Sequence, residues 1–400
     1  MSLPPLDGLT VLDFSHALAG PYCTMLMAAY GARVIKVESP DGGDIGRAWG
    51  PPFQGPDASF FIGLNSGKQS ITVNLKSPEG LELCRRLAAK ADILVENFRP
   101  GTMSRLNLGY DNLVAANPRL IYVSISGYGQ TGPRRMEPAM DLIVQASSGL
   151  MSVTGTPDGE IARCGHSVAD ITAGMFALTG ALMAIEARHK TGCGQFVDVS
   201  MLDSLVSAMA SNYAGFLGSG TIPKPMGTAF ATIVPYRAFA CADREIVLAV
   251  ASEKLWLAFC QAIGRHDLAA DERFGSNPLR VKHREILEQQ LAASFREKPA
   301  AHWVQTLQRG GVPVALVRNF EEVLTDQHSQ QRELFPERQH QLAGPVRVTG
   351  LPMKFSATPG RIGEATPTLG QQTDQVLFDV LGLTSDALRE LRSAGAIGAP

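Results

Sequence analysis

Residues 9–38 read LTVLDFSHALAGPYCTMLMAAYGARVIKVE, and their pattern decides the fold. LTVLDFS (9–15) is apolar and rich in residues that suit a pleated strand. HALAGP (16–21) is a loop into a helical stretch, YCTMLMAAYG, whose end at Gly31 supplies a natural helix stop. ARVIKVE (32–38) then reads as a second strand. Strand, helix and strand within about thirty residues make a βαβ unit, which predicts a parallel sheet and a right-handed crossover.

The alternation continues downstream. SITVNLK (70–76) is strand-like, SPEGLELCRRLAAKA (77–91) is an amphipathic helix opened by Ser77 and Pro78, and DILVENF (92–98) is the next strand. LIYVSIS (120–126) adds another. The pattern predicts a doubly wound α/β sheet in the N-terminal half. A long helix of small and apolar residues is expected from Ile171 to Lys190, and a turn, a strand and a buried helix over 191–217. The Gly/Pro/Thr-rich passage GSGTIPKPMGTAFATIVPYR (218–237) reads as an interdomain crossing. A smaller α/β module is expected at about 228–320, opening with a hairpin in PYRAFACADREIVLAVAS (235–252). Residues 344–359 read as extended chain and 385–395 as a last helix. The expected division is a large domain over 1–217, a linker and small domain over 218–330, and a C-terminal segment (331–400) returning to the large domain.

Bulk properties exclude several classes. At 400 residues the chain exceeds one simple core and predicts two domains. With 45% hydrophobic and 18% charged residues it is not disordered, and a net charge of −2 gives no field that gathers nucleic acid or anionic membrane. The N-terminus has no basic segment followed by an apolar one, so it is not read as a secretory signal. The longest apolar segment, 168–187, is interrupted by Asp170, Thr172 and Glu186 and is not read as a membrane span. Six scattered cysteines without a CxxC pair argue against zinc or a disulfide framework, and predict a reducing cytoplasm.

Gly127, Gly129 and Gly132 spell GxGxxG after a predicted strand, but a dinucleotide site needs a helix opening on those glycines. Pro133 and Pro138 forbid one, so the glycines are read as a loop against a ligand or active site. The first βα turn, Ser15 to Pro21, lacks pyrophosphate glycines, yet Glu38, Lys76, Asn97, Arg99 and Arg105 collect at strand ends, where such sheets bind ligands. Asp170 fronts a helix in CGHSVADITAGMFALTGALMAIEA (164–187). It reads as an N-cap, as a nucleophile whose ionised form the helix dipole favours, or as both. No GxSxG elbow supports a serine hydrolase, Cys164 reads as an inert thiol, and His16 and His166 are lone histidines that packing alone explains.

Six segments together resemble the class III CoA transferases, the family of formyl-CoA transferase and carnitine CoA transferase. They are LDGLTVLDFSHALAGPYCTMLMAAYGARVIKVESPDGGD (6–44), LNSGKQSITVNLKSPEG (64–80), ADILVENFRPG (91–101), ISGYGQTGP (125–133), VADITAGMFA (168–177) and ARHKTGCGQFVDVSMLD (187–203). The resemblance implies a Rossmann-like large domain, a smaller domain and an interlocked homodimer. It implies that Asp170 is the nucleophile and that CoA contacts come from Ala17, Leu18, Ala19, Val73, Asn74, Leu75, Lys76, Asn97, Phe98 and Arg105. His16, Arg47, Gly129 and Gln130 are expected near the substrate. CoA enters as a substrate, with no permanently bound cofactor and no metal.

Ser39 stands where several relatives place a basic residue, and Arg47 is expected to supply that charge. MGTAFATIVPY (226–236) replaces the glycine-rich loop of formyl-CoA transferase, which disfavours formyl-CoA and oxalate. Racemases of the superfamily carry Gly-His-Asp after the GQTGP loop; this chain has Ala139-Met140-Asp141, and a thioether accepts no proton. Arg47, Arg134, Arg135 and Arg163 are candidates to clamp a second carboxylate. The expected reaction is CoA transfer from succinyl-CoA to itaconate, glutarate, mesaconate or malate. A racemase and a non-catalytic acyl-CoA-binding protein are the alternatives.

Overall fold

The computed structural model describes residues 3–398. Six strands form one sheet: β1 (Thr10–Asp13), β2 (Arg33–Glu38), β3 (Gln69–Thr72), β4 (Ile93–Glu96), β5 (Ile121–Ser126) and β6 (Phe196–Ser200). Their order across the sheet is β3-β2-β1-β4-β5-β6, with every pairing parallel. That is the doubly wound order, in which the chain runs outward from β1 and then returns to build the other half.

A parallel sheet buries both faces, so its strands are apolar on both. Val11, Val34, Ile93, Val95 and Val123 face one core, with α1 (Ala19–Ala29) and α4 (Val168–Thr191) packed over it. Leu12, Ile35, Leu94 and Tyr122 face the other, under α2 (Pro78–Ala88) and the C-terminal helices α10 (Thr373–Leu381) and α11 (Ser385–Ser393). Each fully buried aliphatic side chain contributes about 1.5–3 kcal/mol. The predicted cap of α2 is present: the Gly80 amide donates to Ser77 Oγ at 3.0 Å.

By length and composition α4 would pass as a membrane-crossing helix, a possibility the interrupted run had argued against. Its Ala169, Ala173, Ala177, Ala181 and Ala184 line the core instead. Small residues let α1 and α4 touch: a Cβ on Gly174 would lie 2.6 Å from the Ala19 carbonyl oxygen. Two further helices follow β6, α5 (Met201–Ala208) and α6 (Ala210–Ser219), while α3 (Asp141–Ser147) precedes α4.

The chain divides into two compact units, 1–150 with 163–221 and 327–400, and 151–162 with 222–326. The expected division put 151–162 in the large domain; it belongs to the second unit, where the Gly227 amide donates to the Gly155 carbonyl at 2.9 Å. That unit has an antiparallel three-stranded sheet, β7 (Tyr236–Ala240), β8 (Glu245–Ala249) and β9 (Val314–Leu316), with β8 in the centre. Three of its helices, α7 (Glu253–Ala262), α8 (Arg284–Phe295) and α9 (Ala300–Arg309), add Trp256, Phe259, Phe295 and Trp303 to its core.

Candidate active site

The strand order reverses between β1 and β4, so a crevice opens at their carboxyl ends. Asn97 closes it like a clasp: Oδ1 accepts from the His16 amide and Nδ2 donates to the His16 carbonyl, both at 2.8 Å. His16 also packs edge-on against Phe98, with ring centroids 5.3 Å apart. Burial holds the His16 imidazolium below its ordinary pKa, against the pull of Asp44, so the ring is neutral at pH 7. The next residue, Ala17, has φ +63°, a left-handed conformation that an L side chain pays for in strain. The Ala17 amide donates to Asp44 Oδ1 at 3.0 Å, which keeps the turn in that shape.

Beneath the turn lies a lattice of buried charges. Lys36 Nζ sits 2.8 Å from Asp44 Oδ2 and donates to the Ser15 carbonyl. Lys68 Nζ lies 3.0 Å from Asp13 Oδ2 and also donates to Pro21 and Asn65. Arg47 grips Glu38 with two donors at 2.7 Å each, reaches Asp57 at 3.0 Å, and stacks 3.9 Å from the Phe61 ring centroid. Burial alone would raise Asp13, Glu38 and Asp44; their cations and hydrogen bonds outweigh it and hold all three below the usual carboxylate range. The expectation that Arg47 binds CoA phosphate or a substrate carboxylate is therefore corrected. Its guanidinium is buried and committed to Glu38 and Asp57.

The other expected CoA contacts rim the crevice unevenly. Leu18 and Ala19 are buried at the start of α1, and Val73 is fully buried. The Asn74 side chain is occupied by the C-terminal segment, donating to the Gly395 carbonyl at 3.0 Å and accepting the Lys76 amide. Leu75 is half-buried, whereas Lys76 and Arg105 are exposed, with Arg105 donating to Thr102 Oγ1. Lys76 and Arg105 are thus the expected CoA-binding cations that face solvent.

Asp170 is the third residue of α4 and is half-buried. The N-cap position is Ser167, which makes no side-chain cap, so the reading of Asp170 as the cap is corrected. The cap comes instead from another helix. Asp141 Oδ1 accepts the Ala169 amide at 2.9 Å, and Asp141 Oδ2 accepts Gln145 Nε2 at 2.7 Å. Gln145, fully buried, passes the tether on by accepting the Cys164 amide at 2.8 Å.

Among the described residues no cation pairs with Asp170. Burial pushes its carboxyl up to about 7, and the negative charge of Asp141 adds to the shift. The helix dipole was expected to favour ionisation; desolvation and Asp141 outweigh it. The result is a carboxylate available near neutral pH, more basic than a solvated one and uncommitted to a cation, which suits a nucleophile.

In the glycine loop no helix opens on Gly127–Gly132; the next helix begins at Asp141. Gly129 takes φ +81°. Gln130 donates its amide to Asp198 Oδ2 at 2.9 Å and its side-chain Nε2 to Ser124 Oγ at 2.9 Å. Its carboxamide nitrogen is thus engaged by Ser124. Arg134 meets Glu137 at 2.9 Å and the Tyr128 ring at 4.0 Å. Arg135 and Arg163 are exposed. Cys164, read as an inert thiol, is half-buried with Sγ 3.3 Å from His166 Nδ1.

Sequence reasoning missed Asp44, Asp141 and Gln145. Asp141 carried a signal, lying beside Met140 in the one tripeptide already compared with relatives. Asp44 and Gln145 carried none, because the contacts that matter, Asp44 to the Ala17 amide and Gln145 to the Cys164 amide, join residues distant in sequence.

The CoA-transferase family III model matches residues 6–373. A mouse succinyl-CoA:glutarate CoA-transferase (Mus musculus) is 35% identical over 396 residues, 99% of this chain and 91% of that protein. The acetyl-CoA:oxalate CoA-transferase of Acetobacter aceti is 38% identical, covering 88% of this chain and 89% of its own. A succinyl-CoA:mesaconate CoA-transferase from Haloarcula marismortui is 37% identical, covering 93% and 95%. Among solved structures, a CAIB/BAIF family protein from Brucella suis superposes with a TM-score of 0.85 at 33% identity, over 95% of this chain and all of that one.

Proposed function

This chain belongs to CoA-transferase family III and is a CoA-transferase, and from that premise we propose that it moves CoA from succinyl-CoA to a small dicarboxylic acid through a thioester on Asp170. The observation that carries the reading is the state of Asp170: half-buried at a helix start, unpaired with any cation among the described residues, and titrating at about 7.

Ionised Asp170 attacks the thioester carbonyl of the donor, giving a mixed anhydride and CoA thiolate. The thiolate attacks the aspartyl carbonyl, forming the enzyme thioester and releasing the donor acid. The acceptor carboxylate then displaces CoA from Asp170 to form a second anhydride. Attack of the thiolate on the acceptor carbonyl gives the new acyl-CoA and restores the carboxylate. One thioester replaces another, so the sequence closes without an outside energy source, and a site that excludes water protects the anhydrides. The amides of Val168, Ala169 and Ile171 at the start of α4 are already taken by His166, Asp141 and Ser167, which leaves the glycine loop 127–132 as the candidate source of donors for the oxyanions.

The dicarboxylate class rests on the named relatives, whose acceptors glutarate, mesaconate and oxalate each carry two carboxylates. With Arg47 buried against Glu38 and Asp57, Arg134, Arg135 and Arg163 are the remaining candidates of the four for the second carboxylate. A family-type homodimer is supported by the outer face of α4, where Met175, Phe176, Leu182 and Met183 are 53, 41, 42 and 68% exposed. A cytoplasmic setting is part of the proposal and rests on the six free cysteines.

The test mixes enzyme and succinyl-CoA with glutarate, mesaconate, itaconate, malate and oxalate, without ATP, and follows CoA thioesters by chromatography. New dicarboxyl-CoA products are expected. Absence of any product, with α-deuterium exchange in a branched acyl-CoA, would instead establish the racemase reading. Met140 opposes that outcome, since it is 61% exposed where a racemase needs its histidine.

A further inference from the structure

Glu96, the last residue of β4, was not among the expected site residues, yet it is only 4% exposed. Its two oxygens serve different segments. Oε2 accepts the Phe98 amide at 2.8 Å, which fixes the chain on either side of the Asn97 clasp, and the other oxygen accepts Ser124 Oγ. Ser124 in turn accepts Gln130 Nε2 at 2.9 Å, so Glu96 reaches the glycine loop through one hydroxyl. Asp198 on β6 holds the same loop from the other side through the Gln130 amide.

The loop is tied to the nucleophile as well. A Cβ on Gly127 would fall 2.1 Å from Ala139 Cβ, so the loop rests directly on Ala139, two residues before the Asp141 that caps the Asp170 helix. A cavity of about 330 Å³ beside Glu96, lined by Arg99, Tyr110, Asp111 and Gln130 among others, leaves the loop room to shift when the tether loosens.

We propose that Glu96 is a positioning residue for CoA transfer, setting the glycine loop through Ser124 and Gln130 and the Asn97–His16 clasp through the Phe98 amide. It touches no substrate and acts through those groups. Ionised Glu96 accepts both hydrogen bonds; its protonated form gives up one acceptor position, and the loop loosens. Burial, with a smaller push from Asp198, raises its carboxyl to about 7. The other titratable or charged groups around it are Arg99, Tyr110 and Asp111 on the cavity wall, and Tyr122 beside it on β5.

The inference rests on the transferase reading, and its test separates the two. Productive transfer requires both Asp170 and Glu96 ionised, so in acid the logarithm of the wild-type rate rises with pH at a slope approaching two. Glu96→Gln is expected to give a slope of one and a kcat lower by about tenfold at pH 8. Gln130→Ala, which leaves Glu96 and Ser124 paired, is expected to lower kcat similarly while its thermal midpoint stays within about 4 °C of wild type. Amide hydrogen exchange over 127–132 is read in the same proteins without substrate, and both variants are expected to exchange faster. A slope of two with kcat within twofold of wild type in Glu96→Gln, or unchanged exchange in both variants, overturns the proposal. If exchange responds but even the wild type transfers no CoA, the loop tether stands and the transferase chemistry is what fails.

Discussion

Two groups of carboxylates in the same unit, one buried and one half-buried, are treated in opposite ways. Under the first turn, Asp13, Glu38 and Asp44 are each met by Lys36, Lys68 or Arg47 and held below the ordinary carboxylate pKa. At the start of α4, Asp170 meets no cation among the described residues and has another carboxylate, Asp141, nearby, so its pKa rises to about 7. A buried acid with a cation is committed to holding the fold. Asp170, half-buried and without one, costs stability when ionised, and the same shift leaves a more basic carboxylate free to attack a carbonyl.

The largest effect expected from breaking this contrast is at Asp170 itself. Asp170→Asn should lower transfer by roughly a thousandfold or more, read as steady-state thioester exchange. It should also stabilise the protein. The folded pKa of about 7 lies above the unfolded one, so stability is lost as pH rises from the ordinary carboxylate range to about 7 and the full cost stands above it; a neutral amide removes that cost. The gain at pH 8, seen in thermal melts, should be on the order of 1 kcal/mol after allowing for partial exposure.

On the other side of the comparison, Lys68→Met should leave activity to fall only with the fold. Stranding the Asp13 carboxylate should cost about 3–5 kcal/mol at neutral pH in denaturant titrations. Asp13 is held low in the native protein, so its contribution is present above the unfolded pKa and lost only in strong acid. In the variant that carboxyl titrates higher, and the deficit should shrink as pH falls.

Asp141→Asn sharpens the contrast with less damage, because an amide oxygen can still accept the Ala169 amide. In a Glu96→Gln background, where Asp170 alone sets the acid limb, removing the negative charge should move the midpoint of the pH–rate profile down from about 7 by on the order of one pH unit. A midpoint that stays in place would show that burial alone sets it. The smallest effect is expected at Ala17→Gly. Relieving φ +63° should stabilise the fold by up to about 1 kcal/mol in melts while leaving the Asn97 clasp intact.

The sheet was legible in the sequence because local periodicity carries it. LTVLDFS, ARVIKVE, DILVENF and LIYVSIS all contain strands of the parallel sheet, and Ser77 caps its helix as its residue type predicts. Boundaries slipped where a partner from elsewhere intervened. Asp170 was placed at the cap because Asp is a good cap; Asp141, twenty-nine residues earlier, had already taken that work. Arg47 looked like an available cation because its partners Glu38 and Asp57 flank it from separate segments, and nothing in spacing distinguishes a buried fork from a solvated one. The direction of the Asp170 shift was misjudged for the same reason: the dipole is visible in a sequence, and desolvation is not.

The central claim is that the Asp170 carboxylate is covalently part of the reaction. It is tested most directly by turning over succinyl-CoA with an accepted dicarboxylate labelled with ¹⁸O in its carboxylates, then measuring the mass of the peptide carrying Asp170. Each acceptor anhydride that collapses by thiolate attack on the acceptor carbonyl should leave one ¹⁸O on Asp170, so the peptide gains label only when both substrates are present. Transfer of CoA with no ¹⁸O in that peptide would contradict the account.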